Sequence, residues 1–139
     1  MKKFILLGTI LISSLLFAKP NLTPEVKALL KEAKSSVKFV VGSELKVIIK
    51  EDSAILLDVR DPDEWEKGGI KAKRVVQISR GFLEVKYPKL ILKKYNKDDN
   101  FVVFCAIEPR AILATKRLKD LGFTNVKYLK GGLKKWLSK

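Results

Sequence analysis

The sequence predicts an α/β domain built on a mainly parallel sheet that helices cover. Short apolar runs typical of buried strands alternate along the chain with segments whose apolar residues recur at helical spacing. The apolar runs are nearly continuous, as in strands that are buried on both faces of a parallel sheet. With 139 residues, of which 47% are hydrophobic, the chain has the size and the core of one ordinary domain.

Residues 1–18 have the three zones of a secretory signal: two lysines, an almost wholly apolar run and the small residue Ala18. We predict cleavage after Ala18 and a periplasmic or secreted protein. We expect no stable membrane insertion after cleavage. The apolar run of about fourteen residues is itself shorter than the roughly twenty that span a bilayer, which favours a cleaved signal over an anchor. An uncleaved anchor is the alternative, since Leu16 is a poor residue at three positions before the cut.

Residues 19–36 are predicted to form a helical N-terminal extension. Thr23 is a candidate N-cap with Pro24 at the first helical position, and the helix is expected to run to about Lys34. Its apolar stripe either packs on the domain or belongs to a separate extension. The stripe consists of Val26, Leu29, Leu30 and Ala33.

The domain itself is predicted to span residues 37–139. Each predicted strand is a short apolar run, and each predicted helix has one apolar face or a capping signal at its start. The strands are expected over 37–41, 54–59, 75–78, 101–104 and 126–129. The helices are expected over 44–50 with Ser43 as cap, 62–67, 82–95 divided by Pro88, 111–121 and 133–137.

Cys105, the only cysteine, stands where one strand ends and the next helix begins. A thiol at this place faces the free N–H groups of a helix N-terminus and has Arg110 five residues on, which favours a thiolate and a bound oxyanion. A nucleophilic sulfur beneath an anion site indicates sulfur or phosphoryl transfer. The alternative is a small, buried apolar side chain without chemistry.

Composition excludes several other classes of site. The chain has no histidine, which excludes Cys-His proteases, Ser-His hydrolases and His-ligated zinc, and a single cysteine forms neither an internal disulfide nor a thiolate cluster. We therefore expect no cofactor and no metal. The net charge of +14 is spread along the chain, which predicts small anions or an acidic partner surface rather than nucleic acid; plain solubility is the alternative.

Several segments along the chain resemble motifs of the rhodanese-like sulfurtransferases. The loop from Cys105 through Arg110 to Ala111 is similar to the active-site loop of that family. Three further segments resemble family motifs: Ile55–Arg60 followed by Glu64-Trp65, Gly68–Ile70, and Leu129–Leu133 with Trp136. The segment Gly68–Ile70 lacks the histidine that the family has there. The resemblance implies a three-layer sandwich with a five-stranded sheet.

The resemblance also implies a reaction. The Cys105 thiolate takes the outer sulfur of a small anionic donor such as thiosulfate and passes it, as a persulfide, to a thiol or to cyanide. The substrate-binding residues that it implies are those of the loop, namely Ala106, Ile107, Glu108, Arg110 and Ala111.

Two further places are candidate parts of the site. Arg80 is either a second anion contact or a solvated surface arginine. Asp58 and Arg60 follow a buried strand at its carboxyl end, where ligands of α/β sheets bind, but we predict that they mainly hold the neighbouring loops together.

The interior of the loop departs from the family pattern. Glu108 stands where the family often has a small residue or glycine, and Pro109 removes an amide donor, so both weaken the anion site. We therefore expect slow turnover of thiosulfate and a non-standard donor or an exported protein partner. The alternatives are a catalytically weak binding module and a redox-sensing thiol. Four residues separate Cys105 from Arg110, whereas the related cysteine phosphatases have five, which favours a persulfide over phosphate.

Overall fold

The computed structural model describes residues 21–138, so the predicted signal segment lies outside the described residues. The five strands are β1 (Lys38–Val40), β2 (Ile55–Asp58), β3 (Val75–Gln77), β4 (Asn100–Phe104) and β5 (Asn125–Leu129). The helices are α1 (Pro24–Ser36), α2 (Gly42–Glu51), α3 (Pro62–Trp65), α4 (Leu83–Leu90), α5 (Pro109–Asp120) and α6 (Gly132–Leu137), and a 3-10 turn (Arg80–Phe82) leads into α4.

All five strands are parallel and lie in the order β1-β5-β4-β2-β3. This confirms the predicted α/β class and the five-stranded sheet. β4 is the central strand, and Phe104 at its end pairs in register with Asp58 of β2. Cys105 therefore follows the middle of the sheet at its carboxyl edge, which is where open α/β sheets bind ligands.

The core has two layers because alternate residues of each strand face opposite sides of the sheet. Leu57 and Val103 belong to the larger cluster, and Leu56 and Val102 to the smaller one on the other face. Helices α1 and α5 cover the larger cluster, which includes Ala33, Ala111 and Leu118. The helical extension thus packs on the domain, where α1 lies against α5.

The start of α1 is confirmed: the Thr23 hydroxyl caps the helix by accepting the backbone N–H of Val26 at 3.4 Å. Its predicted apolar stripe is wrong at Leu29, which is 55% exposed. The buried face of α1 follows positions 26, 30 and 33, because residues three and four apart lie on one side of a helix. Within residues 21–138 no helix is both long and apolar enough to cross a membrane.

Two predictions of helix limits are wrong. Ser43 is not the cap of α2, because Glu44 reaches back to accept the backbone N–H of Val41 at 2.7 Å and the helix begins at Gly42. Pro88 does not divide a longer helix but lies inside α4, which ends at Leu90. A proline inside a helix has no N–H to donate to the carbonyl one turn earlier, and α4 ends two residues after it, with residues 91–94 continuing as turns.

Candidate active site

The loop after β4 aims a backbone amide at the only thiol of the chain. The N–H of Glu108 lies 3.2 Å from Cys105 Sγ, and α5 begins at the next residue, Pro109. An N–H at a helix N-terminus stabilises negative charge on an atom toward which it points. The thiol sits at the carboxyl end of the central strand and already has one donor within hydrogen-bond distance.

A second contact fixes the loop from the opposite side. The N–H groups of Leu133 and Lys134, in the first turn of α6, donate to the carbonyls of Cys105 and Ala106 at 2.9 and 3.0 Å. These are backbone bonds between the cysteine loop and the start of α6. The carbonyls of the loop therefore point at α6.

Glycine is required at the turn that makes this contact. Gly132 has φ +63°, and a β-carbon there would lie 2.7 Å from the carbonyl oxygen of Ala106 and 2.8 Å from that of Cys105. No side chain fits so close to backbone. The predicted segment Leu129–Leu133, which contains Gly131 and Gly132, thus packs directly against the backbone of the cysteine loop.

Glu108 has a strained backbone and a fixed side chain. Its φ of +118° lies in a region that residues other than glycine rarely adopt. The carboxylate Oε1 accepts the N–H of Gly131 at 2.7 Å, which ties it to the turn between β5 and α6. The side-chain direction, which the sequence does not determine, is therefore toward that turn.

Arg110 lies beside the loop but is already paired with carboxylates. Its Nη1 and Nη2 donate to the two oxygens of Glu64 at 2.6 and 2.8 Å, and Nη1 lies 3.3 Å from Asp61 Oδ2. The hydrogen bond with Glu64 raises the pKa of Arg110 despite partial burial, and the negative charge of Glu64 adds to this. The hydrogen bond from Arg110 lowers the pKa of Glu64 to about 2. Both groups stay charged at neutral pH.

Asp58 and Arg60 form a buried pair at the end of the neighbouring strand. Arg60 Nη2 lies 2.7 Å from Asp58 Oδ2, and both side chains are nearly inaccessible. The guanidinium also donates to the carbonyls of Glu64 and Gly68 at 2.9 and 2.7 Å. A β-carbon at Gly69, where the motif lacks histidine, would lie 2.9 Å from Arg60 Nη2. These contacts tie the Asp58–Arg60 pair to the turn around residues 64–69.

Arg80 is held by a carboxylate, and Ala111 is a core residue. Arg80 Nη1 lies 3.3 Å from both carboxylate oxygens of Glu84, and Glu84 also pairs with Arg117 of α5 at 3.0 Å. Ala111 is fully buried in the larger core cluster. Neither residue lines the cavity that contains Cys105.

That cavity has a volume of about 460 Å³ and is walled partly by the N-terminal segment. Cys105 is itself fully buried and is one of the residues that line the cavity. The remaining lining residues come from the N-terminal segment, α3, the cysteine loop and α5: Leu22, Val26, Leu30, Glu64, Ala106, Ile107, Pro109, Arg110 and Leu113.

Sequence reasoning found the thiol, the loop and the paired glycines, but missed two parts of the site. Glu64 was named only as part of a family motif, and its pairing with Arg110 joins positions 46 apart in the chain. The placement of Leu22 and Val26 beside Cys105 was not predicted. The sequence signal for this placement was the apolar face of α1, because an apolar helix face is expected to pack against another part of the protein.

Comparisons with known proteins agree with this geometry. Residues 42–139 match the model of the rhodanese-like domain. The uncharacterized protein YqhL of Bacillus subtilis is 34% identical over 83 residues, which are 60% of this chain and 60% of that protein. The chain thus spans less than two thirds of the length of that relative.

Two solved structures have similar folds. The polysulfide-sulfur transferase homodimer of Wolinella succinogenes is 34% identical with a TM-score of 0.67, and the alignment covers 82% of both chains. A protein of unknown function from Rhodopseudomonas palustris, described as a possible tyrosine phosphatase, is 29% identical with a TM-score of 0.71, and the alignment covers 87% of this chain and 95% of that one.

Proposed function

Because the chain belongs to the rhodanese-like domain family, we propose that it transfers sulfane sulfur and that Cys105 carries the sulfur as a persulfide. The observation that carries the proposal is the Glu108 N–H aimed at Cys105 Sγ from 3.2 Å at the start of α5. The likeness to the Wolinella succinogenes polysulfide-sulfur transferase supports it. Export to the periplasm is part of the proposal and rests on the sequence of residues 1–18.

The reaction consists of two displacements at sulfur. The Cys105 thiolate attacks the outer sulfur of a donor such as thiosulfate; a new S–S bond forms, the donor's S–S bond breaks, and sulfite leaves with the electron pair. A thiol, as its thiolate, or cyanide then attacks the outer sulfur of the persulfide, and Cys105 leaves as a thiolate. Sulfur moves between the two partners without net oxidation.

The chain's own groups have separate roles in these steps. The Glu108 N–H stabilises the negative sulfur, and the bonds from α6 to the carbonyls of Cys105 and Ala106 hold the loop in place for it. Arg110 is a positioning residue, since Glu64 and Asp61 already engage its guanidinium. Thiosulfate is for that reason a slow donor in this proposal.

A second candidate is a catalytically weak module that binds an exported partner or senses oxidants through its thiol. The observation that favours it is the complete burial of Cys105 within the larger core cluster. A sensor predicts oxidation of Cys105 to a sulfenic acid, with a mass gain of about 16 Da instead of the roughly 32 Da of one sulfur.

The test is a thiosulfate-to-cyanide assay on the mature protein, with Cys105→Ser as the control. We expect slow thiocyanate formation that depends entirely on Cys105. Hydrolysis of p-nitrophenyl phosphate measured on the same samples should be absent, because four rather than five residues separate Cys105 from Arg110. Equal thiocyanate rates in the two proteins would exclude sulfurtransferase activity with this donor, and phosphate release would indicate a phosphatase instead.

A further inference from the structure

The wall that the N-terminal segment contributes to the cavity is entirely apolar. Leu22, Val26 and Leu30 face the cysteine loop, and all three are partly buried there. They precede residues 42–139, which match the rhodanese-like domain. The N-terminal segment therefore adds a surface of its own next to the thiol.

The charged groups of the cavity do not offer a free positive site. The two charged lining residues are Glu64 and Arg110, and they bind each other through two hydrogen bonds. With Asp61 at 3.3 Å, two carboxylates meet one guanidinium. To bind here, a dianion such as thiosulfate has to displace the carboxylates from Arg110 or give up its hydration without gaining a free cation. Either costs free energy.

The cavity is also larger than a small oxyanion requires. A volume of about 460 Å³ lies in the range of pockets that bind small organic ligands. Its other walls are the apolar side chains of Ile107, Pro109 and Leu113. An apolar group of the size of a phenyl ring therefore has a surface to occupy while its attached sulfur faces Cys105.

We propose that α1 and the residue pair before it select the sulfur donor: Leu22, Val26 and Leu30 favour donors in which the transferable sulfur is attached to an apolar organic body. The inference rests on the proposed function. In the step, the Cys105 thiolate attacks the terminal sulfur of an organic persulfide R–S–SH, a Cys105 S–S bond forms, the donor's S–S bond breaks, and the thiolate R–S⁻ leaves with the electron pair.

The experiment compares two donors that differ mainly in one group. Benzenethiosulfonate carries a phenyl ring where thiosulfate carries a charged oxygen, and both deliver a sulfane sulfur from a sulfonyl sulfur. The apparent second-order rate constant of Cys105 persulfide formation is measured for each by intact mass. We expect the phenyl donor to react about tenfold faster, or more, from the apolar area that the ring buries.

The matched variants lie on two sides of the same segment. The double variant Leu22→Asn/Val26→Asn should lower the ratio of the benzenethiosulfonate constant to the thiosulfate constant about tenfold. Leu29→Asn, at an exposed position of α1, should change neither. Leu30 is left intact because it also packs on the core.

The outcomes separate the two proposals. A persulfide that forms equally fast from both donors, or a donor ratio that the double variant leaves unchanged, overturns the selection by α1 while sulfur transfer stands. No persulfide from either donor overturns the proposed function, and the inference falls with it.

Discussion

The ends of β2 and β4 lie side by side, and a motif arginine follows each of them. Arg60 pairs with Asp58, and the two side chains are only 4% and 2% exposed. Arg110 pairs with Glu64, with exposures of 33% and 25%, and both line the cavity at Cys105. The comparison indicates that the first pair holds the fold, whereas the second forms part of the wall of the cavity at Cys105.

The largest effect is expected from breaking the buried pair. Arg60→Met leaves the Asp58 carboxylate buried without its partner and should lower the free energy of unfolding by about 3–5 kcal/mol, measured by urea denaturation. The control Lys116→Met removes an exposed pair with Asp120 and should cost no more than about 0.5 kcal/mol. If both variants lose the same small amount, the Asp58–Arg60 pair does not hold this edge of the sheet.

The next effect concerns the contact between α6 and the cysteine loop. Gly132→Ala forces a β-carbon against the carbonyls of Cys105 and Ala106 at a positive φ, and should cost roughly 1–3 kcal/mol of stability. Persulfide formation should fall at least about tenfold, because the thiol moves relative to the Glu108 N–H.

Gly81→Ala is the matched control for that substitution. A β-carbon at Gly81 meets nothing within 4 Å, so we expect little change in either measurement. A Gly132→Ala protein that forms persulfide at the wild-type rate would show that the loop does not depend on α6.

Arg110→Lys tests the second pair of the comparison. Lysine keeps the charge but not the two parallel hydrogen bonds to Glu64, so the rate constant for persulfide formation should fall about tenfold while the free energy of unfolding changes by less than about 1 kcal/mol. Arg117→Lys, on the same helix but paired with Glu84, is the control and should alter neither quantity. A loss of stability without a loss of rate would make Arg110 equivalent to Arg60.

The smallest effect is a pH dependence of stability. The pKa of Glu64 is about 2 in the fold against an ordinary value of 4.5, so its pairing stabilises the fold fully above pH 4.5 and this contribution is lost as the pH falls through 2. The contribution is on the order of 1 kcal/mol, given the partial exposure of the pair. Urea denaturation between pH 6 and 2.5 should therefore show a shallower decline for Glu64→Gln. Parallel curves for the two proteins would contradict the pairing.

The sequence was sufficient for the sheet because its strands are local, continuous apolar runs. It also placed Cys105 directly after the central strand, whereas α5 begins at Pro109, two residues before the predicted start at 111. Helix limits were less predictable, because they depend on single contacts such as that between Glu44 and Val41.

The surroundings of the thiol could not be predicted from local patterns. The Arg110–Glu64 pair and the Gly131–Glu108 bond join residues 46 and 23 positions apart. The face of α1 was visible as an apolar stripe, but only the tertiary structure shows that Val26 lines the same cavity as Cys105. The long-range pairing with Glu64 distinguishes Arg110 from Arg60, whose partner Asp58 is two residues away in the chain.

The most direct measurement is the intact mass of the mature protein after incubation with benzenethiosulfonate and then with an excess of a thiol. Because Cys105 is the only cysteine, the account predicts a gain of about 32 Da in the first step, its complete loss in the second, and no gain in Cys105→Ser. A mass that stays unchanged with the donor, or a gain that the Ser variant shows equally, would contradict the assignment of Cys105 as the sulfur carrier.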